Sequence, residues 1–234
     1  HGHVIHLGER ECSIQRRFQK LIEETPAPTL APELRQRICD AAVRLASEAG
    51  YVNAGTVECI VSPSGEFYFL EMNTRLQVEH PVTEMVTGLD LVDWQLRVAQ
   101  GEPLPLKQGD VRWHGSAIEC RILAEDADAG FVPDTGKVLL LNEPQGPGVR
   151  FDCGVTPGAT VSADFDSMLA KLVVHGATRD LAISRLRQAL SETVMLGVTI
   201  NAHFLGRVLA HPAFQAGATD TGFLERHKAD LKPN

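Results

Sequence analysis

Polar side chains suited to metal binding and acid–base chemistry follow one another along residues 67–79, which read FYFLEMNTRLQVE. The run alternates with a period of two, and in an extended chain successive side chains point to opposite faces. One face is apolar apart from Thr74 and carries Tyr68, Leu70, Met72, Leu76 and Val78. The other face becomes polar and carries Glu71, Asn73, Arg75, Gln77 and Glu79. Because this polar row continues from a Phe-Tyr-Phe segment that reads as buried, we expect it to line the floor of a cleft. The alternative is a half-exposed edge strand with ordinary surface charges.

The preceding strand is expected to add another carboxylate to this row. Residues 55–61 are rich in β-branched side chains and are followed by a Ser-Pro-Ser-Gly turn signal. If the hairpin loop has two or four residues, Glu58 lies opposite Phe69 and diagonal to Glu71, with roughly 7–8 Å between the backbones. Together with Asn73 these carboxylates form an oxygen cluster suited to Mg²⁺ or Mn²⁺. An odd-length loop places Glu58 on the opposite face.

Two long runs carry a family resemblance. The run EMNTRLQVEHPVTE resembles the signature of biotin carboxylases, ATP-grasp enzymes that carboxylate biotin with bicarbonate, and ERECSIQRRFQKLIEETPAP at residues 9–28 fits the same family. The similarity extends to about Arg226. Carbamoyl-phosphate synthetases share the ATP-grasp fold, but their corresponding strand typically reads Glu-Val-Asn-Pro-Arg and lacks the Gln-Val-Glu-His-Pro continuation.

The resemblance implies an α+β fold in two parts. Residues 1–105 correspond to the second half of an ATP-grasp domain, an antiparallel sheet with helices. Residues 106–234 correspond to the biotin carboxylase C-terminal α+β lobe. The Pro/Gly-rich stretch at 101–109 is consistent with a boundary at this point.

The resemblance also implies which residues handle the metal and the proton. Glu58, Glu71 and Asn73 would hold a divalent metal on the ATP phosphates, where it neutralises charge during phosphoryl transfer. Glu79 would be the general base that deprotonates bicarbonate. A carboxylate in a partly desolvated cleft can have the raised pKa that this role needs.

Bicarbonate and biotin are implied to bind through cationic and amide groups. Lys20, Arg75, Gln77 and the Val78 backbone would bind bicarbonate. Arg75 and Arg150 would stabilise negative charge, including the enolate of the biotin ureido ring. Without the resemblance, Arg150 at the exit of a Gly/Pro loop reads as a solvated arginine.

Lys20 lies in a basic cluster at residues 15–20, which is either a solvated loop or a surface for phosphate and bicarbonate. The family position that matches Phe18 is usually a histidine that contacts the nucleotide. Phe18 cannot donate that hydrogen bond, which puts this contact in question. His80 is expected to be a structural imidazole at a strand end, with a proton relay to Glu79 as the alternative.

Periodicity and turn residues predict the elements that position these groups. Helices are predicted at 32–49, 83–100, 180–192 and 201–210. Strands are predicted at 4–7, 116–123, 136–141, 149–151 and 160–162.

Composition excludes several classes of protein. The 234 residues are 44% hydrophobic and 22% charged with a net charge of −8, which describes a globular protein and disfavours a nucleic-acid partner. Five scattered cysteines without CxxC spacing indicate a reducing compartment, the cytoplasm or the mitochondrial matrix, rather than disulfides or zinc. No apolar run approaches the ~18 residues needed to span a bilayer.

The function implied by the resemblance is a two-step ligase reaction. ATP activates bicarbonate to carboxyphosphate, and the CO₂ released from it carboxylates biotin. The sequence has no glycine-rich phosphate flap and no AMKM-type biotinylation motif, so we expect the C-terminal half of a biotin carboxylase subunit of an acyl-CoA carboxylase, inactive alone. Expected partners are a biotin carboxyl carrier protein or domain, a carboxyltransferase subunit, and a second copy bound through the C-terminal lobe. The alternatives are a non-catalytic assembly or dimerisation module and the same chemistry within a urea carboxylase. The final acceptor (an acyl-CoA, pyruvate or urea) is selected by the carboxyltransferase.

Overall fold

The protein combines helices with short antiparallel strands, in a computed structural model that describes residues 1–233. The strands are β1 (Gln15–Arg16), β2 (Gln19–Lys20), β3 (Ile22–Thr25), β4 (Thr56–Val61), β5 (Phe67–Asn73), β6 (Ser116–Leu123), β7 (Glu125–Asp126), β8 (Val132–Pro133), β9 (Gly136–Lys137), β10 (Leu140–Asn142), β11 (Val149–Cys153), β12 (Thr160–Val161), β13 (Met168–Gly176) and β14 (Val194–Leu196). The helices are α1 (Pro32–Glu48), α2 (His80–Thr87), α3 (Leu91–Ala99), α4 (Arg179–Glu192), α5 (Ala202–Ala210), α6 (Pro212–Gln215) and α7 (Phe223–Arg226), with a 3₁₀ turn at Gln108–Asp110. The predicted α+β class is confirmed. Within residues 1–233, no helix has the length and apolar character needed to cross a membrane.

A four-stranded antiparallel sheet, in the order β11-β13-β6-β3, lies at the centre of the molecule. Directly opposite residues share a face, so the register sorts the side chains into two sets. The row Ile22, Cys120 and Leu172 lies on the apolar face, which packs against α4 and α5. Each large side chain buried there contributes about 1.5–3 kcal/mol. The adjacent row, which contains Glu23 and Glu119, lies on the opposite face.

Helix α2 covers part of this second face. Its buried residues Val82 and Val86 pack against Ala117 of β6 and Val173 of β13. The segment that leads into α2 contains residues 74–79, so the packing of α2 holds the C-terminal end of the polar row against the sheet. In the four-stranded sheet, β3 comes from the first predicted unit and β6, β11 and β13 come from the second. The boundary between the units at residue 105 stays a prediction.

The hairpin of β4 and β5 corrects the predicted register. Val61 pairs with Phe67, so the hairpin loop has five residues. Such an odd length was expected to place Glu58 on the face opposite the polar row. A bulge between Glu58 and Cys59 changes the register again and places Glu58 directly opposite Glu71 instead of diagonal to it.

The aromatic part of β5 is not buried as predicted. Tyr68, Phe69 and Leu70 are each more than half exposed, at 53%, 56% and 57%. Strand β5 ends at Asn73, and the rest of the polar row lies in a loop before α2. Tyr68, Phe69 and Leu70 are exposed because β5 pairs only with β4, and this two-stranded sheet cannot cover both of its faces.

Three other predicted elements differ from the structure. The strand expected over 136–141 is two short strands, β9 and β10, which pair with β12 and β14 respectively. The helix expected over 83–100 is two helices, because Gly88 adopts the left-handed conformation (φ 71°) that ends α2, and the Asp90 side chain caps α3. The strand expected over 4–7 is absent, and those residues have no regular secondary structure. The predicted helices near α1, α4 and α5 are confirmed to within one residue at each end.

Candidate active site

Lys20 lies at the centre of the polar residues. It follows the tight β1–β2 turn, and its Nζ atom lies 2.8 Å from Glu58 Oε1 and 2.7 Å from Glu79 Oε1. Burial lowers the pKa of Lys20, but the neighbouring carboxylates outweigh burial and raise the pKa overall. Lys20 therefore stays protonated and joins β4 to the start of α2.

Glu79 is held between two cations. Its side chain is 3% exposed, Oε1 accepts from Lys20, and Oε2 lies 3.0 Å from Arg121 Nη2 on β6. Burial raises the pKa of Glu79, but Lys20 and Arg10 outweigh burial and leave the pKa below its ordinary value. The expected raised pKa is therefore wrong. The carboxylate is ionised, and each of its two oxygens accepts from a cationic side chain.

The predicted metal cluster comes together on the hairpin. Glu58 and Glu71 are opposite residues, and the Asn73 amide nitrogen bridges them, at 3.1 Å from Glu58 Oε1 and 2.9 Å from Glu71 Oε1. Among the hydrogen bonds of the described residues, the second oxygen of each carboxylate receives no donor. Two adjacent carboxylates with free oxygens fit a hard divalent cation. The Asn73 amide oxygen accepts from Arg75 at 3.0 Å, so Asn73 can add an oxygen ligand only after its amide rotates.

The Gln77 amide has a fixed orientation. Its Nε2 atom donates to Glu58 Oε1 at 2.6 Å, and its Oε1 atom accepts from Arg10. Arg10 also donates to Glu23 Oε1 at 3.2 Å. The next residue is held as well, because Lys171 Nζ on β13 donates to the Val78 carbonyl at 2.9 Å.

Arg150 is bound to acidic partners at one end of the sheet. It makes two hydrogen bonds to Asp152, of 2.9 and 2.8 Å, and its Nη1 atom lies 2.6 Å from Glu84 Oε2 on α2. The bond to Asp152 is the main reason that the pKa of Arg150 is raised. Asp152 also lies 3.5 Å from Lys171, which connects Arg150 to the segment around Val78.

Phe18 and His80, which were also singled out from the sequence, lie outside the network around Lys20 and Glu79. Phe18 is 95% exposed, and Arg17 and Phe18 both have positive φ in the two-residue turn between β1 and β2. His80 is the first residue of α2, and its Nδ1 lies 2.8 Å from the Gln77 carbonyl oxygen. This contact holds the imidazole against the backbone.

Sequence reasoning assigned no role to Arg10, Arg121 or Lys171, which hold the predicted site residues in place. Arg10 precedes the basic cluster, and the other two lie on strands whose polar face was not recognised. Alternation along β6 contains a signal, because Glu119 and Arg121 are charged in an otherwise apolar strand. Strand β13 was not predicted as a strand, so its lone lysine gave no such signal.

Comparison with known proteins identifies the family of this site. Residues 1–107 match the family model described as the ATP-binding domain of the carbamoyl-phosphate synthase L chain, and residues 119–226 match the biotin carboxylase C-terminal domain. The chain is 53% identical to the alpha subunit of mitochondrial methylcrotonoyl-CoA carboxylase of Arabidopsis thaliana, over 99% of this chain and 32% of that protein. It is 50% identical to biotin carboxylase 1 of Bacillus subtilis, over 97% of this chain and 51% of that protein.

A solved structure matches the whole chain. The biotin carboxylase domain dimer of 2-oxoglutarate carboxylase from Hydrogenobacter thermophilus, in complex with MgADP, ADP and bicarbonate, superposes with a TM-score of 0.97 at 44% identity, over 100% of this chain and 51% of that one. The chain thus spans about a third to a half of the length of these relatives. It belongs to the biotin carboxylase family, and the predicted fold, the second half of an ATP-grasp domain followed by the C-terminal lobe, is confirmed.

Proposed function

We propose that this chain supplies the bicarbonate- and biotin-handling half of a biotin carboxylase, a ligase that carboxylates biotin with ATP and bicarbonate through carboxyphosphate. The observation that carries this proposal is the arrangement of Glu79. A buried, ionised carboxylate with one oxygen on Lys20 and the other on Arg121 is oriented as a proton acceptor beside cationic groups that attract an anion.

The proposed base acts at the first step. Glu79 would take the bicarbonate proton, while Lys20, Arg75, Gln77 and the Val78 N–H bind the anion. The fixed Gln77 amide supports this role, because its NH₂ group faces the carboxylates of the site and its oxygen faces Arg10. The bond from Lys171 to the Val78 carbonyl holds the peptide unit between Val78 and Glu79 in a single orientation.

The proposed metal ligands are Glu58, Glu71 and, after rotation of its amide, Asn73. A bound Mg²⁺ or Mn²⁺ would neutralise charge on the ATP phosphates. Lys20 neutralises Glu58, and its flexible side chain can leave Glu58 for an anionic substrate. Lys20 is thus placed to move between the metal ligands and bicarbonate.

Arg150 is proposed to stabilise the negative charge on the biotin ureido oxygen. A cavity of about 230 Å³ lined by Val78, Asp152 and Lys171 lies next to it and is a candidate entrance for the ring. Arg150 would exchange part of its contact with Asp152 or Glu84 for the substrate.

The partners and the location are also proposals. We infer a biotin carboxyl carrier protein or domain, a carboxyltransferase subunit and a second copy of the chain, in the cytoplasm or the mitochondrial matrix. The final acceptor is outside this half of the enzyme, because the relatives above are named for methylcrotonoyl-CoA and for 2-oxoglutarate and yet share this part of the chain.

ADP release with Mg²⁺, bicarbonate and free biotin tests the proposal. The chain is assayed alone and with the N-terminal half of a biotin carboxylase added in trans. Biotin-dependent release only after complementation is the expected result. Release by the chain alone would show that the site is complete without the N-terminal half. No release in either case, from a folded protein, would favour a non-catalytic assembly module.

A further inference from the structure

Two carboxyl groups face each other beneath the candidate site and have no assigned role. Glu23 on β3 and Glu119 on β6 are directly opposite residues, which places their Cβ atoms about 4.5–5.5 Å apart. They are 4% and 1% exposed. Among the described residues, both oxygens of Glu119 and Oε2 of Glu23 have no hydrogen-bond partner.

The cations around the pair are bound to other acceptors. Arg10 donates to the remaining oxygen of Glu23 but not to Glu119. Arg121 binds Glu79, and Lys171 binds the Val78 carbonyl. The charged and titratable groups that face the pair are Arg10 and Cys12 from the N-terminal segment, Lys20 from β2, Glu79 from the loop before α2, Arg121 from β6 and Lys171 from β13. On α2, His80 contacts the Gln77 carbonyl and Glu84 contacts Arg150.

Two ionised carboxylates cannot both remain in this position at low cost. A buried charge without a hydrogen bond is strongly unfavourable, and a like charge on the opposite strand adds to the cost. Burial raises the pKa of Glu119 to about 8 and also raises that of Glu23. The Arg10 guanidinium stabilises the charge on Glu23, so the proton belongs on Glu119.

We propose that Glu119 carries a proton at neutral pH and donates it in a hydrogen bond to Glu23 Oε2, and that the pair is a positioning unit for Arg10 and Gln77. In this hydrogen bond the protonated oxygen of Glu119 donates and Glu23 Oε2 accepts, so one proton gives both atoms a partner. Glu23 then presents its other oxygen to Arg10 Nε, and Arg10 presents its Nη2 atom to the Gln77 amide oxygen. The Gln77 NH₂ group is thereby directed towards Glu58.

The consequence for the reaction rests on the proposed function, because it requires Gln77 to bind bicarbonate. Loss of the Glu119 proton leaves two charges on the pair, which then compete for Arg10. Gln77 loses its fixed orientation when Arg10 shifts. Bicarbonate affinity should therefore fall above about pH 8, while nucleotide binding through the metal ligands is unchanged.

Infrared spectroscopy of the full 234-residue chain tests the shared proton without any substrate. The wild type at pH 7 should show the carbonyl band of a buried protonated carboxylic acid, and this band should disappear with a midpoint near pH 8. Glu119→Gln should abolish it, and Glu23→Gln should shift or abolish it. Glu125→Gln is the matched control, because Glu125 is also buried with one oxygen that lacks a hydrogen-bond partner among the described residues, but its other oxygen accepts from Ser167 at 2.7 Å and the residue opposite it is Pro133. This variant should leave the band unchanged. A wild type without the band at pH 7, or a band that neither Glu119→Gln nor Glu23→Gln changes, would overturn the proposal.

A second measurement keeps the test decisive if a variant folds poorly. Since the folded chain binds a proton that the unfolded chain releases above about pH 4.5, the wild-type unfolding constant should rise by about tenfold per pH unit towards pH 8 through this group. Wild-type slopes that match those of Glu119→Gln across this window would contradict the shared proton.

Kinetics in the complemented enzyme test the positioning role. Glu119→Gln keeps a donor for Glu23, so its KM for bicarbonate should equal that of the wild type at pH 7 but should not rise above pH 8. Glu119→Leu removes the donor and should raise this KM by about tenfold at every pH, with little change in the KM for ATP. If Glu119→Leu lowers kcat alone, the positioning role is wrong. A complemented wild type without turnover would refute the proposed function, and the infrared result would still decide the shared proton.

Discussion

Replacement of Lys20 by methionine should destabilise the folded chain by about 3 kcal/mol at neutral pH. The Lys20 ammonium lies 2.8 Å from Glu58 and 2.7 Å from Glu79, whose side chain is only 3% exposed. Removing one partner of a buried ion pair costs about 3–5 kcal/mol, because the remaining charge is left without compensation. The lower end applies here, because Arg121 still pairs with Glu79 at 3.0 Å and Glu58 is partly solvated.

Thermal unfolding of the 234-residue chain measures this loss. In a protein of this size a change of 1 kcal/mol shifts the Tm by about 2–4 °C, so the variant should melt about 6–12 °C below the wild type. Arg97→Met is the matched control. Arg97 also bonds a carboxylate, Glu102 at 2.7 Å, but both side chains are more than 40% exposed, so no measurable shift is expected.

The pH dependence of the Tm difference between Lys20→Met and the wild type identifies the cause of that difference. Burial raises the pKa of Glu79, but Lys20 outweighs burial and the folded-state value lies below the ordinary 4.5. The stabilisation is therefore fully present above pH 4.5 and is lost as the pH falls through the folded-state pKa. The Tm gap should shrink in acid, and Lys20→Met combined with Glu79→Gln should regain part of the lost stability. A gap no larger than that of Arg97→Met, or one that does not depend on pH, would refute the reasoning.

Three further changes probe the site and the backbone. Glu79→Gln in the complemented enzyme should lower biotin-dependent ADP release by about 10²–10⁴-fold and leave MgADP affinity near the wild-type value; equal loss of both would count against its role as base. Gly197→Ala should destabilise the chain by about 3 kcal/mol, because its Cβ would lie 1.9 Å from the Lys137 carbonyl oxygen at a φ of +99°. Gly158→Ala has a similar φ of +96° with no atom within 4 Å, so calorimetry should show only the conformational cost of about 1–2 kcal/mol, and equal losses would show that the contact is irrelevant. Phe18→Gly should raise the Tm by about 2–4 °C, since Phe18 has a φ of +66° and is 95% exposed; a lower Tm would show that the ring packs on the protein.

The sequence predicts those parts of the fold whose signals are local. Helices α1 and α4 have apolar periodicity and end signals within their own residues, so their bounds are predicted to within one residue. Strand β13 reads MLAKLVVHG, a nearly continuous apolar run without alternation, because both of its faces are covered. The register prediction failed because the hairpin loop has five residues instead of two or four, and because the bulge between Glu58 and Cys59 has no sequence signal.

The candidate site was predicted where it follows one strand and missed where it depends on distant partners. The polar row is visible because it alternates over a short segment. Arg121 and Lys171 contact Glu79 and Val78 across 42 and 93 residues, and no local pattern identifies such pairs. Strand β3 was overlooked because Ile-Glu-Glu-Thr reads as exposed, although all four residues are buried. Its second glutamate, Glu24, is buried only because Arg179 donates to it at 2.6 and 3.1 Å across 155 residues.

The central sheet explains why the site needs both predicted units. Strand β3 from the first unit completes a sheet whose other strands belong to the second, and the loop before α2 is tied to that sheet at two points. Arg121 holds the side chain of Glu79, and Lys171 holds the backbone at Val78. If residues 1–105 were separated from the rest, Glu79 would lose one of its two cations and β3 would lose its pairing partner. The geometry of the proposed base therefore depends on both units, because Lys20 from the first and Arg121 and Lys171 from the second hold it.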